Sequence, residues 1–146
     1  MADAGSIGDV EAEKVAAGWK PFEVRGGFEA LIGPLYARRS EEGIRFAFYA
    51  RPEHANARGI VHGGMLMSLA DHMLGAMVWH AMGRRFSATV SLNCDFLRPA
   101  RVGDWIEGAG EITRKGRSLV YVHGDLRADS AVVMNANGIW KVLGAD

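Results

Sequence analysis

Apolar positions along this chain change period several times, and each change marks an element. From Met65 to Met82 they recur at helical spacing: at about 100° per residue Met65, Leu69 and Met73 form one row, with Leu66, Ala70, Leu74, Met77 and Val78 beside it. Scarcely any face is left for water, so other elements must wrap this helix. Elsewhere the period is two. "LYARRS" and "GIRFAFYA" flank Glu41, Glu42 and Gly43, with alternation in "IRFAFYA", and predict a hairpin. After the helix come "SATVSLNCDFL", "DWIEGAGEITRKG", "RSLVYVHGDLRAD" and "AVVMNANGIWKVL", four runs rich in β-branched and aromatic residues. Turns are expected at Lys115-Gly116-Arg117 and Ala128-Asp129-Ser130. Residues 9–18 predict a short polar helix closed by Gly18, and "WKPF" behind it should lay aromatic rings on the body. "RPEHANARGIV" is polar, carries Pro52 and Gly59, and predicts a loop.

Two strands, one long apolar helix and four strands predict an α+β fold, a curved antiparallel sheet around a single central helix. The expected division is an N-terminal helix and extension over residues 1–30, then one domain over 31–146. A chain of 146 residues with 49% hydrophobic content has enough apolar side chain for one core. Seventeen basic side chains balance seventeen acidic ones, so no overall field draws the protein to nucleic acid or an anionic membrane. No apolar run reaches membrane-span length, and the acidic N-terminus lacks the apolar core of a secretory signal. With a lone Cys94, these features predict a cytoplasmic protein. The five histidines form no HExxH and no cysteine-histidine cluster, and no GxGxxG or P-loop spacing occurs, so neither a metal nor a nucleotide cofactor is expected.

One residue breaks the apolar helix. Asp71 stands where packing alone asks for Leu or Ala, and Gly64, Ser68 and Gly75 lie within about 60° of it on the helical wheel. A carboxylate on a face of small residues can be approached closely. Left unpaired in an apolar setting it is costly, so its presence asks for a purpose. His62-Gly63-Gly64 stands at the helix start, two turns ahead, and a polar loop with Asn56 precedes it. No GxSxG elbow and no Cys-His pair supplies a covalent hydrolase nucleophile.

The run "NARGIVHGGMLMSLAD", followed by "TVSLNCDFLRPARVGD", resembles the hotdog-fold acyl-CoA thioesterases, in particular their PaaI-like branch. The likeness extends from about Leu31 to Leu143. It implies a long helix as the sausage, an antiparallel sheet as the bun, and a homodimer, itself paired into a dimer of dimers, with active sites at the interface between protomers. It also implies that Asp71 is the catalytic carboxylate, Gly63 the oxyanion-hole glycine, Asn56 the loop asparagine and Thr89 the hydroxyl residue facing the site. Other branches of the fold carry glutamate where Asp71 stands.

Thioester hydrolysis has a use for each group. Attack at the thioester carbon puts negative charge on oxygen, and a backbone N–H at a helix N-terminus is a fixed donor aided by the helix dipole. Asp71 can act as general base on water or attack directly as a nucleophile, two routes left open by the sequence. His62, Gly64 and Ser68 are the expected substrate contacts around the helix start, and Arg114, Lys115 and Arg117 the expected partners of the coenzyme A phosphates, with Arg84, Arg85 and Arg98 as rivals. Coenzyme A enters as part of the substrate, not as a cofactor. Two other readings stand beside hydrolysis: a hotdog dehydratase or hydratase, for which His62 is the only nearby histidine, and a non-catalytic acyl-CoA-binding protein.

Overall fold

The computed structural model describes residues 6–23 and 26–144. Met1 to Gly5, which open the expected N-terminal extension, and the last two residues of the expected domain lie outside them. In chain order the elements are α1 (Ile7–Ala16), β1 (Lys20–Pro21), α2 (Phe28–Ile32), β2 (Leu35–Ser40), β3 (Gly43–Tyr49), α3 (Gly63–Ala81), β4 (Ser87–Phe96), β5 (Trp105–Lys115), β6 (Leu119–Ala128) and β7 (Ala131–Val142), with a 3-10 turn at Pro52–His54. The strands form one antiparallel sheet in the order β1-β2-β3-β5-β6-β7-β4, and α3 packs against β3 through β7. This is the hotdog architecture.

The helical wheel predicts the buried face of α3 well. Met65, Leu66, Leu69, Ala70, Met73, Leu74 and Val78 are all buried, and Phe46, Phe48, Ile106, Leu126 and Trp140 meet them from the sheet. Gly108, Gly110 and Gly124 let the helix sit low: a Cβ at these positions would stand 2.5 Å from Met73 Sδ, 2.9 Å from Leu74 Cδ2 and 3.0 Å from Met73 Cε. Strand β3 is buried on both faces. Phe46 and Phe48 face α3, while Ala47 and Tyr49 join Trp19, Tyr36 and Trp105 in a second cluster behind the sheet. The aromatic ring of "WKPF" is therefore laid on the body as expected, with Trp19 edge-on to Trp105 at 5.4 Å.

The first helix begins earlier than predicted, whereas α3 begins where the His-Gly-Gly run places it. α1 runs Ile7–Ala16 and not 9–18, because Asp9 is the third residue of a capping box: its carboxylate accepts from Ser6 N at 3.0 Å and Ser6 Oγ at 2.8 Å. Gly18 then takes the left-handed conformation at φ 97°. α3 starts at Gly63, two residues before Met65, because His62 caps it, its Nδ1 accepting from Gly64 N–H at 2.9 Å. The short elements β1, α2 and the 3-10 turn carry too few residues to show a period.

The two hairpin turns fall where expected, Gly116–Ser118 between β5 and β6 and Asp129–Ser130 between β6 and β7, with Asp129 at φ 53°. The sheet ends differently on its two sides. β1 is two residues long, whereas β4 is a ten-residue edge strand. Val90 on that edge is 59% exposed, and Phe86, Phe96 and Leu97 near its ends are exposed too. A long apolar open edge is a surface prepared for another strand.

Candidate active site

Two cavities along α3 hold the residues on which the sequence places the chemistry. The first lies at the helix start. Two of the first amides of α3 are satisfied by His62, Gly64 N–H through the ring and Met65 N–H through the carbonyl at 2.9 Å. The Gly63 N–H has no acceptor among the described residues. It borders a cavity of about 390 Å³ with Asn56, Leu66, Phe96, Arg98 and Ala100. Asn56 is held in a turn: its N–H donates to Ile60 O at 2.8 Å and its Oδ1 accepts from Arg58 N at 2.8 Å. That assignment leaves the Asn56 side-chain NH₂ unengaged. The cavity therefore offers two donors, Gly63 N–H and Asn56 Nδ2, at the positive end of a nineteen-residue helix. A side chain at Gly63 would press on the Phe96 ring, 3.2 Å from where its Cβ would be.

The second cavity, about 410 Å³, holds Asp71 and Thr89. The Thr89 hydroxyl donates to Asp71 Oδ1 at 2.7 Å, and Oδ2 has no partner among the described residues. Thr89 reaches the helix because β4 bulges next to it: the register against β7 shifts between Thr89 and Ser91, so Val90 is the extra residue. Phe22, Trp79, Phe86 and Trp140 give this cavity aromatic walls.

The remaining candidates are dispersed. His62, Gly64 and Ser68 border a third cavity of about 490 Å³ with Phe28, Leu31 and His54, and Ser68 Oγ donates to Gly64 O at 2.7 Å. On the β5–β6 hairpin Lys115 Nζ donates to Ala81 O at 2.7 Å, which ties the hairpin to the C-terminus of α3. Arg114 lies over the Tyr121 ring, and Arg117 is exposed with no partner among the described residues. Of the rival cations, Arg84 lies over Trp79, Arg85 donates to Gly144 O, and Arg98 borders the Gly63 cavity. No cluster of three or more metal-ligating side chains occurs among the described residues.

Sequence periodicity did not single out Phe22, Glu29, His72 or Phe86 as neighbours of Asp71. The first two come from the N-terminal segment, which folds over α3. His72 Nδ1 lies 3.8 Å from Glu29 Oε1, and its ring packs edge-on against Phe22 and Phe46. Burial pushes the His72 pKa down, with Glu29 and Asp71 opposing that shift. Its buried Nε2 has no partner among the described residues. The lone nucleophile candidate of another kind, Cys94, is half-buried and its thiol pKa is raised by burial.

A family profile described as the thioesterase superfamily matches residues 58–134, which span both the Gly63 and Asp71 positions. The Pseudomonas aeruginosa protein PA0474, whose esterase assignment is provisional, is 30% identical over 130 residues, covering 88% of this chain and 97% of that protein. Human acyl-coenzyme A thioesterase 13 is 26% identical over 112 residues, 76% of this chain and 80% of its own. The fold is also that of BH2602 from Bacillus halodurans, solved with CoA: TM-score 0.71 at 20% identity, over 94% of this chain and 85% of that one.

Proposed function

Because this chain belongs to the thioesterase superfamily and is a thioester hydrolase, we propose that it is a PaaI-like acyl-CoA thioesterase that converts an aryl- or medium-chain acyl-CoA to free acid and CoA. The observation that carries the reading is the Asp71–Thr89 pair, a carboxylate with one oxygen held at 2.7 Å and the other free, at the mouth of an aromatic-walled cavity. CoA in the solved BH2602 structure supports the choice of thioester.

Asp71 Oδ2 takes a proton from water as the water oxygen bonds to the thioester carbon, while the Thr89 hydroxyl fixes the carboxylate in line. The carbonyl oxygen becomes an oxyanion, held by Gly63 N–H and by Asn56 Nδ2. Collapse breaks the C–S bond, and the departing thiolate takes the proton back from Asp71. Water is consumed, and one acid and one thiol are formed.

One copy of the chain cannot bring both sets of groups to one carbonyl. Gly63 and Asp71 are eight residues apart on one helix, about 12 Å at about 1.5 Å per residue, whereas both must come within about 3 Å of the reacting group. The open edge of β4, with Val90, Phe96 and Leu97 exposed, supports a homodimer in which Asp71 of one protomer meets Gly63 and Asn56 of its partner. A dimer of such dimers extends the same reading. Arg98, beside the donor cavity, and the unengaged Arg117 are the cations offered to the CoA phosphates. No helix among the described residues is long and apolar enough to cross a membrane; the cytoplasmic location we propose rests on the lone cysteine, Cys94, which has no second cysteine to pair with in the chain. The test is thiol release from a panel of acyl-CoAs by the wild-type protein and its loss in Asp71→Asn. A folded Asp71→Asn protein with undiminished release refutes the mechanism.

A further inference from the structure

Trp140 is 2% exposed, yet its indole N–H has no acceptor among the described residues. The contrast with Trp105 is direct, since that buried indole donates to Glu107 Oε1 at 3.1 Å. Nor is the Trp140 Nε1 atom shut away: among the described residues, the sealed side-chain atoms lacking a partner are Arg51 Nε and His72 Nε2. Trp140 borders the cavity of Asp71 and stands directly across from Thr89 in the β4–β7 register, so its side chain shares the face from which Thr89 reaches Asp71. Opposite it on α3, one turn beyond Asp71, is Gly75. A Cβ there would stand 3.2 Å from Nε1, so the absence of a side chain is what leaves room beside the N–H.

We propose that the Trp140 N–H, kept accessible by Gly75, binds an oxygen carried by the acyl group, so that this cavity selects acyl chains bearing an ether, keto or hydroxyl oxygen over hydrocarbons of the same shape. The inference rests on the thioesterase reading of Asp71. Its physical basis is an asymmetry. An accessible indole N–H hydrogen-bonds to water wherever no ligand covers it. A hydrocarbon acyl group displaces that water and leaves a buried donor unpaired, whereas an oxygen replaces the lost bond. Trp79, Phe86 and Phe22 supply flat apolar walls around the donor, which suits a ring that carries the oxygen.

Benzoyl-CoA thioesters carrying either a methoxy or an ethyl group at the ortho, meta or para position test this, because each pair exchanges one oxygen for one CH₂ at nearly constant size, and the Trp140→Phe variant shows any preference that comes from conformation alone. The wild-type protein should favour methoxy over ethyl by about tenfold in kcat/KM at one ring position at least. Trp140→Phe should abolish or reverse that preference, and Gly75→Ala should abolish it with the indole still present. Calorimetric titration of folded Asp71→Asn protein with the same pairs gives a readout independent of turnover. Hydrolysis without a preference at any position overturns the inference, as does a preference that persists in Trp140→Phe. Equal slowing of both members of a pair in Trp140→Phe, with the preference intact, assigns the N–H to the attacking water and likewise overturns it. If no thioester is cleaved, tighter binding of the methoxy member upholds the donor while the thioesterase reading falls, and equal binding removes both.

Discussion

The two cavities along α3 are chemical opposites. At the helix start Gly63 N–H and the Asn56 amide are donors without an acceptor among the described residues; at its middle Asp71 is a carboxylate with one oxygen held by Thr89 and the other without a partner among them. A helix can offer unpaired backbone donors only in its first turn, since every later N–H is spent on a carbonyl four residues back. A carboxylate, by contrast, is set most firmly where a wall can reach it, as β4 does through its bulge at Val90. The donors and the carboxylate therefore occupy different stretches of the same helix, and the proposed reaction needs both. On the proposed mechanism the unit of function is therefore larger than the unit of folding.

The largest effect is expected from removing the Asp71 carboxylate while leaving the donors in place. Asp71→Asn keeps the size of the side chain and should lower kcat by about 10³-fold, with acyl-CoA binding preserved in calorimetric titration. Asn56→Ala attacks the other cavity and should cost about 10²-fold, as loss of an oxyanion donor does. The two losses should then cancel in mixture. After subunit exchange, a heterodimer of Asp71→Asn and Asn56→Ala chains gathers both changes in one site and none in the other, so activity should return to as much as half that of the wild type. Purified heterodimers without recovery would show that the cavities do not combine across protomers.

Smaller changes sharpen it. Thr89→Val retains the shape of the residue and removes the donor to Asp71, and a loss of about tenfold in kcat is expected. A defect larger than that of Asp71→Asn in steady-state kinetics reverses the assigned roles. The smallest effect concerns stability. Burial lowers the pKa of His72, which faces Glu29, Asp71 and the Phe22 and Phe46 rings, and of His54, held by Ile32 O near Glu53 and Arg51. For each histidine the unfolded chain binds the proton more readily. Stability is thus unaffected well above the ordinary value of 6.5, falls as pH drops through it, and levels off once the pH is below the lowered folded value. His72→Gln should flatten part of that decline in denaturant titrations between pH 7 and pH 5; an unchanged profile removes His72 as a contributor.

Much of this was legible from residue order. Seven of the eight residues placed on the apolar rows of α3 are buried, with Met77 half-buried, and both late hairpin turns lie where Gly116 and Asp129 mark them. Asp71 stands out because a lone carboxylate interrupts an apolar period, and Gly63 through the resemblance carried by the His-Gly-Gly run at the helix start. These are properties of neighbours a few residues apart, and local periodicity records them directly.

What tertiary structure alone decided is which groups meet. Thr89 and Asp71 are eighteen residues apart and touch only because β4 is the edge strand beside β7 and bulges at Val90. Phe22 and Glu29 border the Asp71 cavity from a segment with no period of its own, and Lys115, one of three cations assigned to phosphate, is drawn onto the end of α3 by the hairpin's position. In the sequence Trp140 reads, with Trp79 and Trp105, as a core or interface aromatic. Its unpartnered N–H arises from the strand register that sets it across from Thr89 and from the packing that sets it against Gly75. Sequence order determines the period of each element, through local sterics and the burial of apolar faces. Contacts between elements depend on register and crossing geometry, which are settled by the joint packing of all the faces and by no single stretch of chain.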